Sequence, residues 1–265
     1  MPLLDTLFGQ PCRLCGRRGG ASALGRVEPT HHEAFAVRDY SLVHCRRCDV
    51  VYLDPLPGAA DLKLLYEDSK QFTDAHYTAP EQVEKILAYY RECLHALDLL
   101  PRADSRVLEV GAGLAWVSRA AKEASAQSIT VAQDVSAECA DACPWVDQYF
   151  VGPLDRLPES ARFDLASLTH VIEHLADPAG MLRTLGKRMA PGGKVFVTAP
   201  FRPTGWRPQL GIEPWRRYSY LHVPAHITYF SRRWFELNAR PEFRIVHWSD
   251  VHEDGQAFEL VLRRG

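Results

Sequence analysis

The sequence predicts an α/β chain, a mostly parallel seven-stranded sheet with helices on both faces, preceded by a small cysteine-bound module. Three observations carry this. From about residue 105 onward, short apolar runs alternate with segments of helical period. One of these runs, within VLEVGAGLAWVSRAAKE at 107–123, passes straight into a glycine-containing turn and then a helix. Four of the seven cysteines stand as two C-x2-C pairs near the N-terminus.

In this reading residues 1–55 form the cysteine module, 56–80 a connector, and 81–265 the large domain, with an insertion at 201–225. The module has little apolar periodicity beyond Phe35-Ala36-Val37 and Leu42-Val43, so it cannot bury much by itself. Pro55, Pro57 and Gly58 mark the connector, with a short helix expected over 61–66. Val83, Ile86, Leu87, Tyr90, Leu94, Leu97 and Leu100 then recur at spacings of three and four, which predicts an amphipathic helix over 81–100 ended by Pro101. Strands are expected at 106–110, 129–133, 148–150, 163–168, 194–198, 243–249 and 257–263, the last two antiparallel.

Composition narrows the function. A length of 265 residues suits one large domain and a small one, and 46% hydrophobic with 24% charged residues is ordinary for a globular protein. The net charge of −2 lacks the basic footprint of most nucleic-acid binders. The start, MPLLDTLFGQPC, has neither the basic nor the apolar region of a secretory signal, and no run approaches the roughly 18–20 apolar residues of a membrane span, so a cytoplasmic protein without a membrane partner is expected. In a reducing compartment the paired cysteines read as metal ligands rather than disulfides.

In the turn after the first long-domain strand, Gly111 and Gly113 allow a tight reversal and close approach to a ligand. Asp134 follows twenty-one residues after Gly113, just past the second apolar run, where a carboxylate can accept both hydroxyls of a ribose. Further along, FDLASLTHVIEHLADPAGMLRTLGKRMAPGGKVFVTAP at 163–200 supplies a strand, a polar crossing, an amphipathic helix, a Pro-Gly-Gly turn and another strand.

With these segments the chain resembles class I S-adenosylmethionine-dependent methyltransferases, the group that includes the ubiquinone-pathway O-methyltransferases, over 105–200 and more loosely over 226–263. The resemblance implies a Rossmann-like sheet, with Glu109 and the first glycines at the methionine part of S-adenosylmethionine and Asp134 at its ribose. The expected cofactor contacts are Glu109, Gly111, Ala112, Gly113, Asp134, Val135, Asp155 and His170. Two positions depart from the pattern: Ala115 stands where a third glycine is usual, and the adenine contact falls either to Asp155 or to backbone groups.

His170, Glu173 and His174 are spaced i, i+3 and i+4, one face of a helix if the helix begins at or before His170. With His226 they form the candidate catalytic group. The arrangement resembles the Glu-x-x-Glu-His cluster of small-RNA 2′-O-methyltransferases, with His170 in place of the first Glu, and that resemblance implies a second divalent metal. Imidazole-rich ligation suits zinc, iron or manganese better than magnesium. Two other readings stay open: a metal-free general base, and a pair that caps a helix and lines the pocket. In the insertion, Trp206, Trp215, Tyr218 and Tyr220 are candidate substrate walls and Arg202, Arg216 and Arg217 candidate anion contacts.

Cys12, Cys15, Cys45 and Cys48 make two knuckles that together offer four thiolates to one structural zinc ion. The run CRRCDVVYLDP resembles the N-terminal zinc-binding region of sugar C-methyltransferases. Cys93, Cys139 and Cys143 show no partner pattern and read as packing residues. The expected activity is methylation of oxygen, nitrogen or carbon on a small-molecule biosynthetic intermediate. Two competitors remain: an RNA methyltransferase gripping its substrate through Arg13, Arg17, Arg18, Arg46 and Arg47, and a non-catalytic module that keeps the fold.

Overall fold

The computed structural model describes residues 11–30, 39–58, 60–61, 65, 78–250 and 257–265. The apolar run at 35–37, most of the helix expected over 61–66 and much of the connector lie outside the described residues. Two sheets result. An N-terminal sheet pairs β1 (Ala21–Val27), β2 (Tyr40–Cys45) and β3 (Val50–Asp54) antiparallel, and takes its fourth strand, β9 (Thr228–Tyr229), from far along the chain.

The second sheet has seven strands: β4 (Arg106–Val110), β5 (Ile129–Asp134), β6 (Gln148–Val151), β7 (Phe163–Thr169), β8 (Met189–Pro200), β10 (Phe243–Ser249) and β11 (Ala257–Arg264). Their order is β10-β11-β8-β7-β4-β5-β6, with β11 antiparallel to both of its neighbours and the remaining pairs parallel. The order reverses between β4 and β7, and a crevice at the carboxyl ends of these strands is where such sheets bind ligands. β8 begins five residues before the expected strand, because Phe163 faces Met189 while Leu165 already faces Lys194; the Pro-Gly-Gly turn bulges out between these pairs.

Alternation along the strands gives each face its own layer. Val107, Leu165, Phe196 and Val261 pack against Cys93 and Leu94 of α1 (Pro80–Ala96) and Val117, Ala120 and Ala121 of α2 (Trp116–Ala124). Leu108, Ala166, Val195 and Leu260 point the other way, onto Leu182 and Leu185 of α3 (Pro178–Arg188) and Trp234 and Phe235 of a short helix at Arg232–Asn238. α1 stops at Ala96, four residues before the expected end. Asp98 takes a left-handed conformation (φ 54°), and the N–H groups of Asp98 and Leu99 bond back to the carbonyls of His95 and Leu94, which closes the helix before Pro101 is reached.

The β2 and β3 strands of the N-terminal sheet are buried on both sides. Val43, Cys45, Val50 and Tyr52 join the main core, whereas Tyr40, Leu42, Val51 and Leu53 pack on Trp206, Trp215, Tyr218, Leu221 and Val223 of the insertion. That explains why VVYL at 50–53 reads as a continuous apolar run. Among the described residues, no helix is long and apolar enough to cross a membrane.

Candidate functional site

The glycine turn lies between β4 and α2 and contains three left-handed residues, Gly111 (φ 61°), Gly113 (φ 47°) and Ala115 (φ 52°). Glu109 is buried beneath it. Its two carboxylate oxygens accept the N–H groups of Val117 (3.2 Å) and Ser118 (2.7 Å), so it caps the start of α2, which lacks a side-chain cap of its own. Burial pushes the Glu109 carboxyl up to about 7, against the pull of those bonds.

Asp134 ends β5 and accepts from Gly113 N–H on one oxygen and Ser136 N–H on the other, each at 2.9 Å. Each oxygen keeps a further lone pair for a ligand. Ala112 donates its N–H to the Gln133 carbonyl, and Gly152 donates to that of Asp134, so the ends of β4, β5 and β6 form one continuous ledge. Val135, 63% exposed, is an apolar surface beside Asp134. Asp155 lies beyond Gly152 with its side chain exposed, and its carbonyl accepts from Arg188.

The second half of the site follows β7. His170 does not begin a helix, contrary to the condition under which its spacing would share a helical face. Its N–H bonds to the Thr198 carbonyl, which prolongs the β7–β8 ladder, and its φ of 54° turns the chain sharply. A 3-10 turn at Ile172–His174 follows, and α3 starts only at Pro178, where Asp177 accepts the Gly180 N–H. Even so, the side chains converge: His170 Nδ1 lies 3.4 Å and His174 Nε2 3.8 Å from Glu173 Oε1.

Glu173 is 0% exposed, and neither oxygen accepts a hydrogen bond. Burial acts to raise its carboxyl pKa, but the imidazoles of His174, His170 and His226 hold it below the ordinary value. His174 Nδ1 donates to the Ala225 carbonyl and His226 Nδ1 to that of Tyr220, both at 2.8 Å, so each ring turns its Nε2 lone pair to the cluster. Burial, with His174 nearby, depresses the His226 pKa to about 3 and keeps that ring neutral. Ligand atoms of Glu173, His174 and His226 lie within 4.8 Å of one another. An unbonded buried carboxylate between two imidazoles whose other nitrogens are fixed by carbonyls fits a divalent cation.

One neighbour escaped the sequence reading. His222 stacks on His226 at 4.6 Å, and the His-x3-His spacing of LHVPAH was its available signal. Tyr220 lies parallel to the half-exposed ring of His170 at 6.4 Å. The other candidate walls, Trp206, Trp215 and Tyr218, are buried in the second core against the N-terminal sheet. Arg202 pairs with Asp49 at 3.0 Å, and Arg216 with Glu213 at 3.7 Å.

The four knuckle sulfurs also come together. Cys12–Cys48 and Cys15–Cys45 are each separated by 3.9 Å, close to the edge of about 3.8 Å that follows from Zn–S bonds of about 2.3 Å in a tetrahedron. Their chemistry and spacing fit zinc. Cys93, Cys139 and Cys143 are buried apart from this group.

A comparison with curated proteins finds no significant match. Among solved structures, the chain is similar to the Burkholderia thailandensis 1,6-didemethyltoxoflavin-N1-methyltransferase with bound S-adenosylhomocysteine (TM-score 0.55, 19% identity, 90% of this chain and 99% of that one). An S-adenosylmethionine-dependent methyltransferase from Mesorhizobium loti superposes with TM-score 0.51 at 21% identity, over 67% of this chain and 100% of the other. The pyocyanin biosynthetic protein PhzM gives 0.54 at 18% identity over 76% of this chain, which spans 61% of PhzM. These likenesses establish the fold. A family model described as Methyltransferase domain matches residues 65–246, well over half of the chain, and on that match the protein belongs to the methyltransferase domain family.

Proposed function

We propose that the chain is an S-adenosylmethionine-dependent methyltransferase acting on a small-molecule biosynthetic intermediate. The observation that carries this reading is the abutment of two turns on neighbouring strands. A Cβ built at Gly111 would stand 2.5 Å from Cγ2 of Val171, so the glycine turn and the His170–His174 turn share one wall.

When bound, S-adenosylmethionine supplies an electrophilic methyl group on sulfur, open to in-line attack by an acceptor atom. Asp134 would take the ribose hydroxyls with its remaining lone pairs, and Val135 would cover one face of the nucleoside. Gly111, Ala112 and Gly113 would line the methionine end, with Glu109 fixing their path from below. Asp155, exposed three residues beyond Gly152, or backbone groups there would serve the adenine. Bound S-adenosylhomocysteine in the toxoflavin enzyme supports this cofactor choice.

On the acceptor side, Glu173, His174 and His226 would hold a divalent cation such as zinc, iron or manganese, which lowers the pKa of a bound hydroxyl. His170, exposed at the mouth, would receive the acceptor proton, and Tyr220 would flank a planar substrate. Four thiolates at Cys12, Cys15, Cys45 and Cys48 would hold a structural zinc. The small-molecule acceptor named for the toxoflavin enzyme favours that substrate class.

Calorimetric titration with S-adenosylhomocysteine, together with elemental analysis, tests the reading. Micromolar binding is expected, weakened about tenfold to hundredfold by Asp134→Asn, which loses a charged acceptor. Two metal ions per chain are expected, falling to one in Glu173→Gln. Absent binding by the metal-replete protein would instead point to a non-catalytic module.

A further inference from the structure

The cysteine knuckles and the acceptor cluster are far apart in sequence, yet the backbone of one residue joins them. Ile227 follows His226 directly. Its N–H donates to the Glu173 carbonyl at 2.9 Å. Its carbonyl accepts twice, from Leu53 N–H at 3.0 Å and from Nη2 of Arg13 at 2.8 Å. The same Nη2 is 3.4 Å from Thr228 Oγ1.

Arg13 sits between Cys12 and Cys15, inside the first knuckle, and its guanidinium lies over the Tyr52 ring at 4.8 Å. Its Nε and Nη1 are buried and bond to nothing. A buried cation with most of its donors unused is costly unless negative charge lies close by. Four thiolates around one zinc ion carry net negative charge, and Cys12 is the adjacent residue. The knuckles also grip the residues that follow: Trp234 Nε1 donates to the Leu14 carbonyl at 3.0 Å, and Ser231 Oγ to that of Cys48 at 2.8 Å.

We propose that Arg13 is a positioning residue for the acceptor site. It clamps the Ile227 carbonyl and so holds His226 against Glu173 and His174, which makes the geometry of that cluster depend on the metal-loaded knuckle. The zinc module is then a working part of the acceptor site. This inference rests on the reading of His226 as an acceptor-site residue. Its test needs no turnover, so failed S-adenosylhomocysteine binding would sink that reading and leave the clamp standing.

The test uses full-length, 15N-labelled protein loaded with one equivalent of zinc, which the four thiolates take in preference to the Glu173, His174 and His226 cluster, so that no cation fixes the His226 ring. Imidazole NMR reports the His226 tautomer, which Tyr220 fixes as Nδ1–H, and amide exchange reports Ile227. Arg13→Lys keeps the charge beside the thiolates, but its chain is one bond too short to reach the carbonyl; Arg13→Gln removes the charge as well. In both, with knuckle zinc retained, His226 is expected to show mixed tautomers and Ile227 to exchange at least about tenfold faster. Exchange at Leu108 and Val131 in the parallel sheet should be unchanged. Wild-type His226 signals and Ile227 protection in either zinc-loaded variant would overturn the proposal. If Arg13→Gln loses zinc, Arg13→Lys decides alone.

Discussion

At the scale of single residues, the cluster of Glu173, His174 and His226 holds groups in states that folding alone would not favour. Glu173 stays ionised without a hydrogen bond, and His226 stays neutral. The His226 ring has its folded pKa depressed from 6.5 to about 3, chiefly by burial. A depressed value means that its stabilising contribution is complete above the unfolded pKa and is lost as pH falls toward the folded one. This group by itself therefore lowers stability from about pH 6.5 downward, with a slope approaching about 1.4 kcal/mol per unit. Glu173 and Asp49, whose carboxyl values are lowered, act at more acid pH, but Glu109, raised to about 7, gains stability as pH falls through the same interval and opposes the His226 slope. Urea unfolding between about pH 6.5 and 5 should therefore show the His226 effect as a difference, the stability of wild type relative to His226→Gln falling as the pH falls, because both proteins carry the same opposing Glu109 contribution. The residues of this cluster were legible in the sequence, because His and Glu at close spacing announce themselves. Their geometry was not: the spacing suggested a helix, and a left-handed His170 followed by a 3-10 turn produces the convergence instead.

Among the elements, the turn from β4 to α2 abuts the turn that follows β7, and its three left-handed positions are not equivalent. Gly111→Ala would add a methyl group 2.5 Å from Cγ2 of Val171 at a φ of 61°. The backbone conformation alone costs an L-residue about 1–2 kcal/mol, and Val171 must also move. A loss of about 2 kcal/mol in urea denaturation is expected, with weaker S-adenosylhomocysteine binding because the shared wall shifts. At Ala115 that cost is already present, so Ala115→Gly should lie within about 1 kcal/mol of wild type, relief of strain being offset by the lost buried methyl and greater unfolded-state freedom. The sequence marked this turn and the strands around it well: β4 and β10 have the predicted bounds, and β5, β6, β7 and β11 differ by one residue at one end. It missed the end of α1, since nothing in the composition of Leu97-Asp98-Leu99 distinguishes a left-handed Asp98 from one more helical residue.

For the molecule as a whole, the N-terminal sheet is an inserted layer, with the main core on one side and the insertion aromatics on the other. Sequence reasoning could not see this. β9 is two residues long, too short for any period, and its pairing with Val51 and Tyr52 spans most of the chain. The same long reach explains why Trp206, Trp215 and Tyr218 look like substrate walls in the sequence and are core residues in the fold. A layer held between two cores should not come away by itself. Metal binding contributes on the order of 10 kcal/mol to small zinc modules, so a strong chelator, or Cys45→Ser, should loosen both contacts together. Zinc release and the red shift of emission from buried Trp206, Trp215 and Trp234 should therefore coincide in chelator concentration and in time, with a lowered Tm. Zinc leaving with the emission unaltered would mean that burial alone holds the layer and that the tetrathiolate site is an appendage to a sheet already stable without it.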